Sequence, residues 1–547
     1  MARARLSDRA RAREGLALAG AYATRSATRR SLGIEPGDII AGLSVALVVI
    51  PQGLAYAQLA GMPAYRGLYA AAVPPIAAAV FASSPHLQTG PTALTALLSF
   101  GALSALATPA SPEYVELGLL LALIVGVVRV AIGLLRAGAI AYLMSSAVLL
   151  GFVPAATALI VASQIPAALG VQSDDGIIAG AVSALAHPGE WIVAALALTA
   201  AAAAVMRIGA RVSPLFPAVL VAVGVGMLAT ELLGYSGATV GEVPAGLPPV
   251  SLDLPWGEAA SLLVPGTVIA LVGFAEPASV ARTLAAQDRR SWDPDREFVG
   301  QGAANVAASV TGGFPVGGSF SRSALTRQAG GRTRWSGAVT GLAVLALLPF
   351  AGIFSSIPTA VLAAVVIVAV APMVRLRPIL DLWPGSRPQF AVAAATFALT
   401  LALAPHVEYA VLAGVALAVA VHLWRELRLD IDVAARDDAL DLHPRGVIWF
   451  GTAPGLEDRL VRLLADHPDA RRLVIHLDGV GRLDLSGALA LRNVLEFARD
   501  AGLQVSVDDV PAHAGRIAAA MLDVPSGSDA RGWVAGDDVS RSRSKAR

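Results

Sequence analysis

Apolar residues dominate the chain from Gly37 to Arg425, in runs separated by short polar stretches. A membrane-crossing helix needs roughly 17–25 such positions. On that template, centres fall near residues 48, 74, 98, 125, 150, 180, 198, 223, 270, 304, 323, 344, 364, 395 and 415. The expected count is about fourteen, so one centre is surplus. The runs near 180 and 323 are the weakest, and one of them is short or re-entrant. After Arg425 the pattern changes. VIWFG (447–451), LVIHL (473–477) and LQVSVDD (503–509) read as strands. GLEDRLVRLLADH (455–467) and GALALRNVLEFARDAG (487–502) carry helical periodicity. Strands alternating with helices predict a small α/β sheet. The expected division is a basic tail (1–33), a membrane domain (34–428), a linker (429–436), a soluble α/β domain (437–535) and a disordered tail (536–547).

Composition agrees with that pattern. Of 547 residues, 56% are hydrophobic and 15% charged, against roughly 25% charged in soluble domains. A net charge of +1 supplies no field to draw nucleic acid. There is no cysteine, which excludes disulfides and thiolate chemistry. The eight histidines do not fall at metal-ligand spacing such as HExxH. No metal and no cofactor are expected. An enzyme is not expected either, because no nucleophile–base pair or GxxxxGK[ST] phosphate loop appears.

Charge placement gives the orientation. Residues 1–33 are arginine-rich without an apolar signal-peptide core, which keeps the N-terminus in the cytoplasm. With alternating spans, the cytoplasmic loops hold Arg136, Arg207, Arg211, Arg289, Arg290, Arg296, Arg327, Arg332, Arg334, Arg375, Arg377 and Arg387. The outer loops carry no Arg or Lys except Arg66. This asymmetry predicts a multi-pass protein of the inner (plasma) membrane with both termini cytoplasmic.

Two halves of the membrane part echo each other. VVIPQGLAYAQLAG (48–61) and ALVGFAEPASVARTLA (270–285) each break at a proline beside a polar residue. TGPTALTALL (89–98) and GGSFSRSALT (317–326) each place glycine and hydroxyl residues before a helix. The offsets match: Gln52 to Glu276 is 224 positions and Gly90 to Gly318 is 228. Seven spans per half is an odd number, so the halves lie inverted, as in secondary transporters with broken helices at the substrate site. Helices that begin inside the membrane leave N–H groups free, and each such end carries about half a positive charge. Two of them facing each other, one led by Gly90–Pro91–Thr92 and one by Ser319–Phe320–Ser321, suit an anion. Arg322 adds a fixed charge and a fork of donors matched to oxyanions. Snorkelling to the boundary or a structural pair with Glu276 is the other role open to it. Glu276 reads as a proton-coupling carboxylate or the other half of that pair. Gln52 and Tyr56 read equally well as helix-break bonding and packing.

Together these motifs resemble the SulP anion permeases, the sulfate permease family. The resemblance rests on IPQGLAYAQLAGMPAYRGLYAA (50–72), SSPHLQTGPTALTALL (83–98), GFAEPASVAR (273–282) and NVAASVTGGFPVGGSFSRSALTRQAGGRT (305–333). The C-terminal part is similar to the sulfate transporter and anti-sigma antagonist (STAS) domain, with LDGVGRLDLSGALAL (477–491) in place of its core. The family fold is about fourteen membrane segments in two inverted seven-segment repeats, split into core and gate, with a cytoplasmic α/β STAS domain. The resemblance implies secondary transport of a small inorganic anion by an elevator-type motion. Sulfate is the default substrate, with bicarbonate or a dicarboxylate as alternatives. It places Gln52, Tyr56, Thr92, Ser321 and Arg322 at the anion and Glu276 at the coupling ion, and implies a homodimer in membrane lipid. The sodium-coupled members have an aspartate at the Glu276 position and threonines where this chain has Val280 and Phe320, so protons are the expected coupling ion. Ser486 matches the serine phosphorylated in anti-sigma antagonists, although Asp484 and its neighbours also read as a plain helix cap. An exchanger, a passive channel and a membrane-tethered STAS signalling protein are the competing readings.

Overall fold

The computed structural model describes residues 33–522, apart from 143–144, 174–175, 214 and 437. The arginine-rich tail and the chain beyond residue 522, including the last serine–arginine run, lie outside the described residues. The chain divides into two compact units, one ending at Val415 and one beginning at Ala416.

The first half of the helical unit runs α1 (Pro36–Leu59), α2 (Arg66–Phe81), strand β1 (Gln88–Gly90), α3 (Ala93–Leu103), α4 (Pro112–Leu134), α5 (Ser146–Leu169), α6 (Ile177–Ala186), α7 (Val193–Val212) and α8 (Ala218–Leu233). The second half repeats the order: α9 (Ala259–Gln287), α10 (Pro294–Val310), β2 (Gly317–Ser319), α11 (Phe320–Gln328), α12 (Trp335–Leu347) and α13 (Thr359–Val370). Two one-turn helices follow, α14 (Arg377–Leu380) and α15 (Leu382–Gly385), then α16 (Arg387–Ala402) and α17 (Val407–Glu426). Among the described residues, eight helices are long and apolar enough to cross a bilayer, and four shorter apolar ones lie between them. The two weak centres correspond to α6 and α11, of 10 and 9 residues. The surplus one is α6. It sits between α5 and α7 as α14 and α15 sit between α13 and α16, whereas α11 follows β2 as α3 follows β1.

Packing repeats as well. α4 packs on α10 and α12 on α2; α9 packs on α4 and α1 on α12; α5 packs on α16 and α13 on α7. Small residues make these approaches possible: a Cβ on Gly126 of α4 would lie 2.7 Å from the Val306 nitrogen of α10, and Gly341 of α12 rests against the Ala72 carbonyl of α2. Two bodies result. α1–α4 and α9–α12 form one, and most contacts of α5, α7, α13 and α16 are with each other. Helix starts follow local chemistry. Ser111 and Asp293 accept N–H bonds at the first turns of α4 and α10, each followed by proline at the first helical position, where the missing N–H costs nothing.

The second unit is a mixed sheet flanked by helices. Its strands are β3 (Asp430–Arg436), β4 (Ala439–Ile448), β5 (Arg472–His476), β6 (Val480–Leu483) and β7 (Gln504–Asp508), with α18 (Ala453–Asp466), α19 (Leu485–Asp500) and α20 (Gly515–Met521). The order is β3-β4-β5-β7, with β6 also on β4; β3–β4 is antiparallel and the other pairs are parallel. Residues 430–436, expected as linker, are thus a sheet strand. Their polarity is that of an edge, where one face stays wet. Residues 430–436 and 439–448 form that hairpin, and β4 ends at Ile448, inside the stretch read as VIWFG. Leu442, Ile448, Leu473, Ile475, Leu491 and Val505 fill the core. Asp484 caps α19, accepting the Gly487 N–H at 2.7 Å, worth about 1 kcal/mol. Ser486 is exposed in that first turn.

Candidate functional site

β1 and β2 cross in the middle of the core, and each turns directly into a short helix. They pair antiparallel, Gln88 opposite Ser319, Thr89 opposite Gly318 and Gly90 opposite Gly317. At this depth an unpaired backbone group costs several kcal/mol. The ladder, Ser323 and Asn305 satisfy several of them, and Gln301 braces Thr89. The Gln88 N–H donates to Ser323 Oγ at 2.9 Å, and Gln301 Nε2 donates to Thr89 Oγ1 at 2.7 Å. Asn305 Nδ2 donates to the Val316 carbonyl at 3.0 Å while Asn305 Oδ1 accepts the Val316 N–H at 2.9 Å.

The two helix starts differ. Thr92 caps α3: its Oγ1 accepts the Thr95 N–H at 3.3 Å and shares a 2.8 Å hydrogen bond with Thr95 Oγ1. Ser319, at the start of α11, makes no side-chain cap. Instead the Phe320 N–H donates to Glu276 Oε1 at 3.4 Å. A carboxylate therefore stands where the sequence places an anion-binding end.

Arg322 is 1% exposed. Its Nη1 donates to Gln52 Oε1 at 3.4 Å, and its Nε and Nη2 have no partner among the described residues. It forms no ion pair with Glu276, so of the two roles left to it, a structural pair does not describe this geometry. Nor does snorkelling, because the guanidinium is buried. Opposite it is Gly90, at φ 155°, where a Cβ would sit 3.5 Å from Arg322 Nη2 and 4.0 Å from the Ala70 carbonyl. A side chain there is strained and narrows the space beside the guanidinium. Gly90→Ala is expected to cut uptake at least tenfold with the protein still in the membrane; initial uptake rates in vesicles check it.

The structure thus brings Gln52, Gly90 and Arg322 together, with Tyr56 buried one turn from Gln52 and within electrostatic range of Arg322 and Glu276. Glu276 reaches the start of α11. Thr92 is buried, and its hydroxyl is engaged with Thr95. Ser321 is exposed and meets Ser319 Oγ at 3.3 Å. Val280 packs with Leu87 and Leu284, while the Phe320 side chain is exposed.

Sequence reasoning passed over several residues that hold this site. Asp38 is buried at the start of α1. Its carboxylate accepts the Arg332 and Thr333 N–H groups at 2.8 and 2.9 Å and the Thr333 hydroxyl at 2.6 Å, fixing the loop between α11 and α12. Glu297, Gln301 and Asn305 are fully buried at four-residue spacing on α10. That spacing, in a run of alanine and glycine, was the readable signal. Arg66, the exception among the outer loops, is not a loop charge. Its Nη1 donates to the Gly312 carbonyl at 2.9 Å and its guanidinium lies over Tyr65 and Tyr69.

Comparison with known proteins agrees with this architecture. The sulfate permease family model matches residues 36–396, and the STAS domain model matches residues 430–512. The chain belongs to the sulfate permease family. A "probable sulfate transporter 4.2" of Arabidopsis thaliana is 29% identical over 516 residues, covering 86% of this chain and 76% of that protein. A probable sulfate transporter of Mycobacterium tuberculosis is 31% identical over 484 residues, covering 86% and 81%. The murine Solute Carrier 26 family member A9 anion transporter, in its inward-facing state, has the same fold, with TM-score 0.81 at 18% identity over 90% of this chain and 89% of that one. The transmembrane domain of a cyanobacterial bicarbonate transporter, BicA, aligns with TM-score 0.61 at 24% identity, covering 68% and 97%. This permease is therefore a multi-pass membrane transporter of anions and not an enzyme, with a STAS domain following the membrane part in sequence.

Proposed function

We propose that this permease is a proton-coupled symporter of small inorganic oxyanions, with sulfate its first substrate and bicarbonate or a dicarboxylate the alternatives. The observation that carries the reading is the pair of buried nitrogens on Arg322, unpartnered among the described residues, at the start of α11, where Ser319 supplies no side-chain cap. An oxyanion completes them in a forked geometry. On this reading Gln52, Tyr56 and Thr92 face the anion and Ser321 stands at its edge. The names of the plant and mycobacterial relatives favour sulfate.

Glu276 supplies the coupling. While ionised, it occupies the α11 end and repels a second anion. Once protonated, it no longer repels the anion that Arg322 attracts, so proton and anion enter together. The α1–α4/α9–α12 body carries the site past the other helices in an elevator-type motion. The arginine asymmetry of the loops supports both termini in the cytoplasm and a plasma-membrane location, and the family resemblance supports a homodimer in lipid.

The test is uptake of radiolabelled sulfate, bicarbonate, fumarate and chloride into proteoliposomes, under an inward proton gradient and then an inward sodium gradient. Proton-driven accumulation of sulfate above equilibrium is the expected result. Flux that only equilibrates marks a channel or an exchanger. No flux of any anion returns the weight to a signalling role for the STAS domain.

A further inference from the structure

Arg129 lies on α4 with no exposed surface. Its Nε donates to the Ala270 carbonyl at 3.0 Å, its Nη1 to the Val316 carbonyl at 2.9 Å and its Nη2 to the Ile269 carbonyl at 3.3 Å. All three acceptors are backbone oxygens, and among the described residues it forms no ion pair. Arginine does not give up its proton in a protein, so this is a permanent buried charge. Carbonyl dipoles offset part of its desolvation, but a full counter-charge is missing.

The counter-charge has a place nearby. Gly273 and Gly317 separate Arg129 from the start of α3. A Cβ on Gly273 would fall 2.8 Å from Arg129 Nη2 and 3.4 Å from Thr95 Cγ2; one on Gly317 would fall 3.3 Å from Thr95 Cγ2 and 3.6 Å from Thr92 Oγ1. One layer of glycine and threonine thus stands between the guanidinium and the Thr92 hydroxyl. The remaining buried acids of this unit are engaged elsewhere. Asp38 holds the 332–333 loop, Glu297 accepts the Ser83 and Ser84 amides, and Glu408 faces His406. The charges around the site are then Arg322, Arg129 and Glu276, a net single positive charge that becomes double when Glu276 is protonated.

We propose that Arg129 is a positioning residue that sets the charge of the preferred anion: it pins α9 to the approach of β2 and, from behind the site, biases it toward a doubly charged oxyanion over a singly charged one of the same shape. This rests on the anion site proposed above. It deepens that reading by assigning the discrimination between charges to a side chain that does not touch the substrate.

The experiment compares uptake of sulfate with that of a singly charged anion, chloride or nitrate, in Arg129→Gln and Arg129→Lys. The readout is the ratio of kcat/KM for the two anions, because a structural defect lowers both together. Arg129→Gln is expected to lower the divalent preference at least tenfold, and Arg129→Lys to keep it within about threefold of wild type. An unchanged ratio in Arg129→Gln, whatever the absolute rates, overturns the proposal and leaves Arg129 a structural tie. If the glutamine variant does not reach the membrane, competition in the wild type decides. Selenate and perchlorate are both tetrahedral and differ in charge; selenate should inhibit sulfate uptake at least tenfold better, and equal inhibition overturns the proposal. A wild type that moves neither class of anion defeats the transport reading itself, a different result from a ratio that fails to change.

Discussion

Arg322→Ala is expected to abolish oxyanion uptake while the protein stays folded in the membrane, at wild-type thermal stability or above it. The two effects have separate causes. Hydrogen bonds from a charged donor contribute about 1.5–3 kcal/mol each. Two such bonds to the anion, from Nε and Nη2, amount to about 3–6 kcal/mol, or roughly two to four orders of magnitude in kcat/KM. Among the described residues those nitrogens have no partner, and the guanidinium's hydrogen bond is the 3.4 Å contact with Gln52. Removing an unpaired buried charge relieves a desolvation penalty, and alanine is the better helix former. A structural arginine behaves in the opposite way, because its loss strands a partner. Uptake and a melting curve on the same preparation settle the matter. Normal transport sinks the site assignment, and a marked fall in melting temperature returns Arg322 to a structural role.

Glu276→Gln is expected to flatten the pH profile. In the wild type, uptake rises as pH falls, because protonation removes a negative charge from the mouth of α11. A like charge about 5 Å from the anion, at an effective dielectric constant of about 20, costs about 3 kcal/mol, roughly two orders of magnitude in affinity. Glutamine keeps the oxygen that accepts the Phe320 N–H but fixes the neutral state. The variant should therefore bind the anion at neutral pH as the wild type does at acid pH, and should no longer carry protons with it. Initial rates across pH, together with a pH-sensitive dye inside the vesicles, report both quantities. A profile identical to wild type would exclude Glu276 as the coupling carboxylate.

The long spans were legible because an apolar run of sufficient length has few other uses, and the repeat was legible because proline and glycine mark its breaks. Short pieces escaped. β1 and β2 are three residues each, and their pairing joins positions more than 200 apart, so no local periodicity announces it. β3 was read as linker because an edge strand need not be apolar. At the site, Arg322 and Glu276 stood out as charges in apolar sequence, but whether they paired with each other is a matter of angstroms that spacing does not encode. Arg129 escaped for a different reason. It lies near the end of a span, where an arginine resembles a boundary residue, and only its three carbonyl partners reveal that it faces inward.

The three-rung ladder between β1 and β2 has a consequence for the ancestry of the fold. Each strand takes its backbone partners from the other half of the chain, so one half alone would hold an open strand edge in the middle of a bilayer. A seven-span precursor could not have kept that edge unpaired. Such a half would need a second copy inserted upside-down, and so a polypeptide able to enter the membrane in both orientations. Within this chain the pairing is intramolecular, and the two halves differ at matching positions, with a glutamine at residue 52 and a glutamate at residue 276.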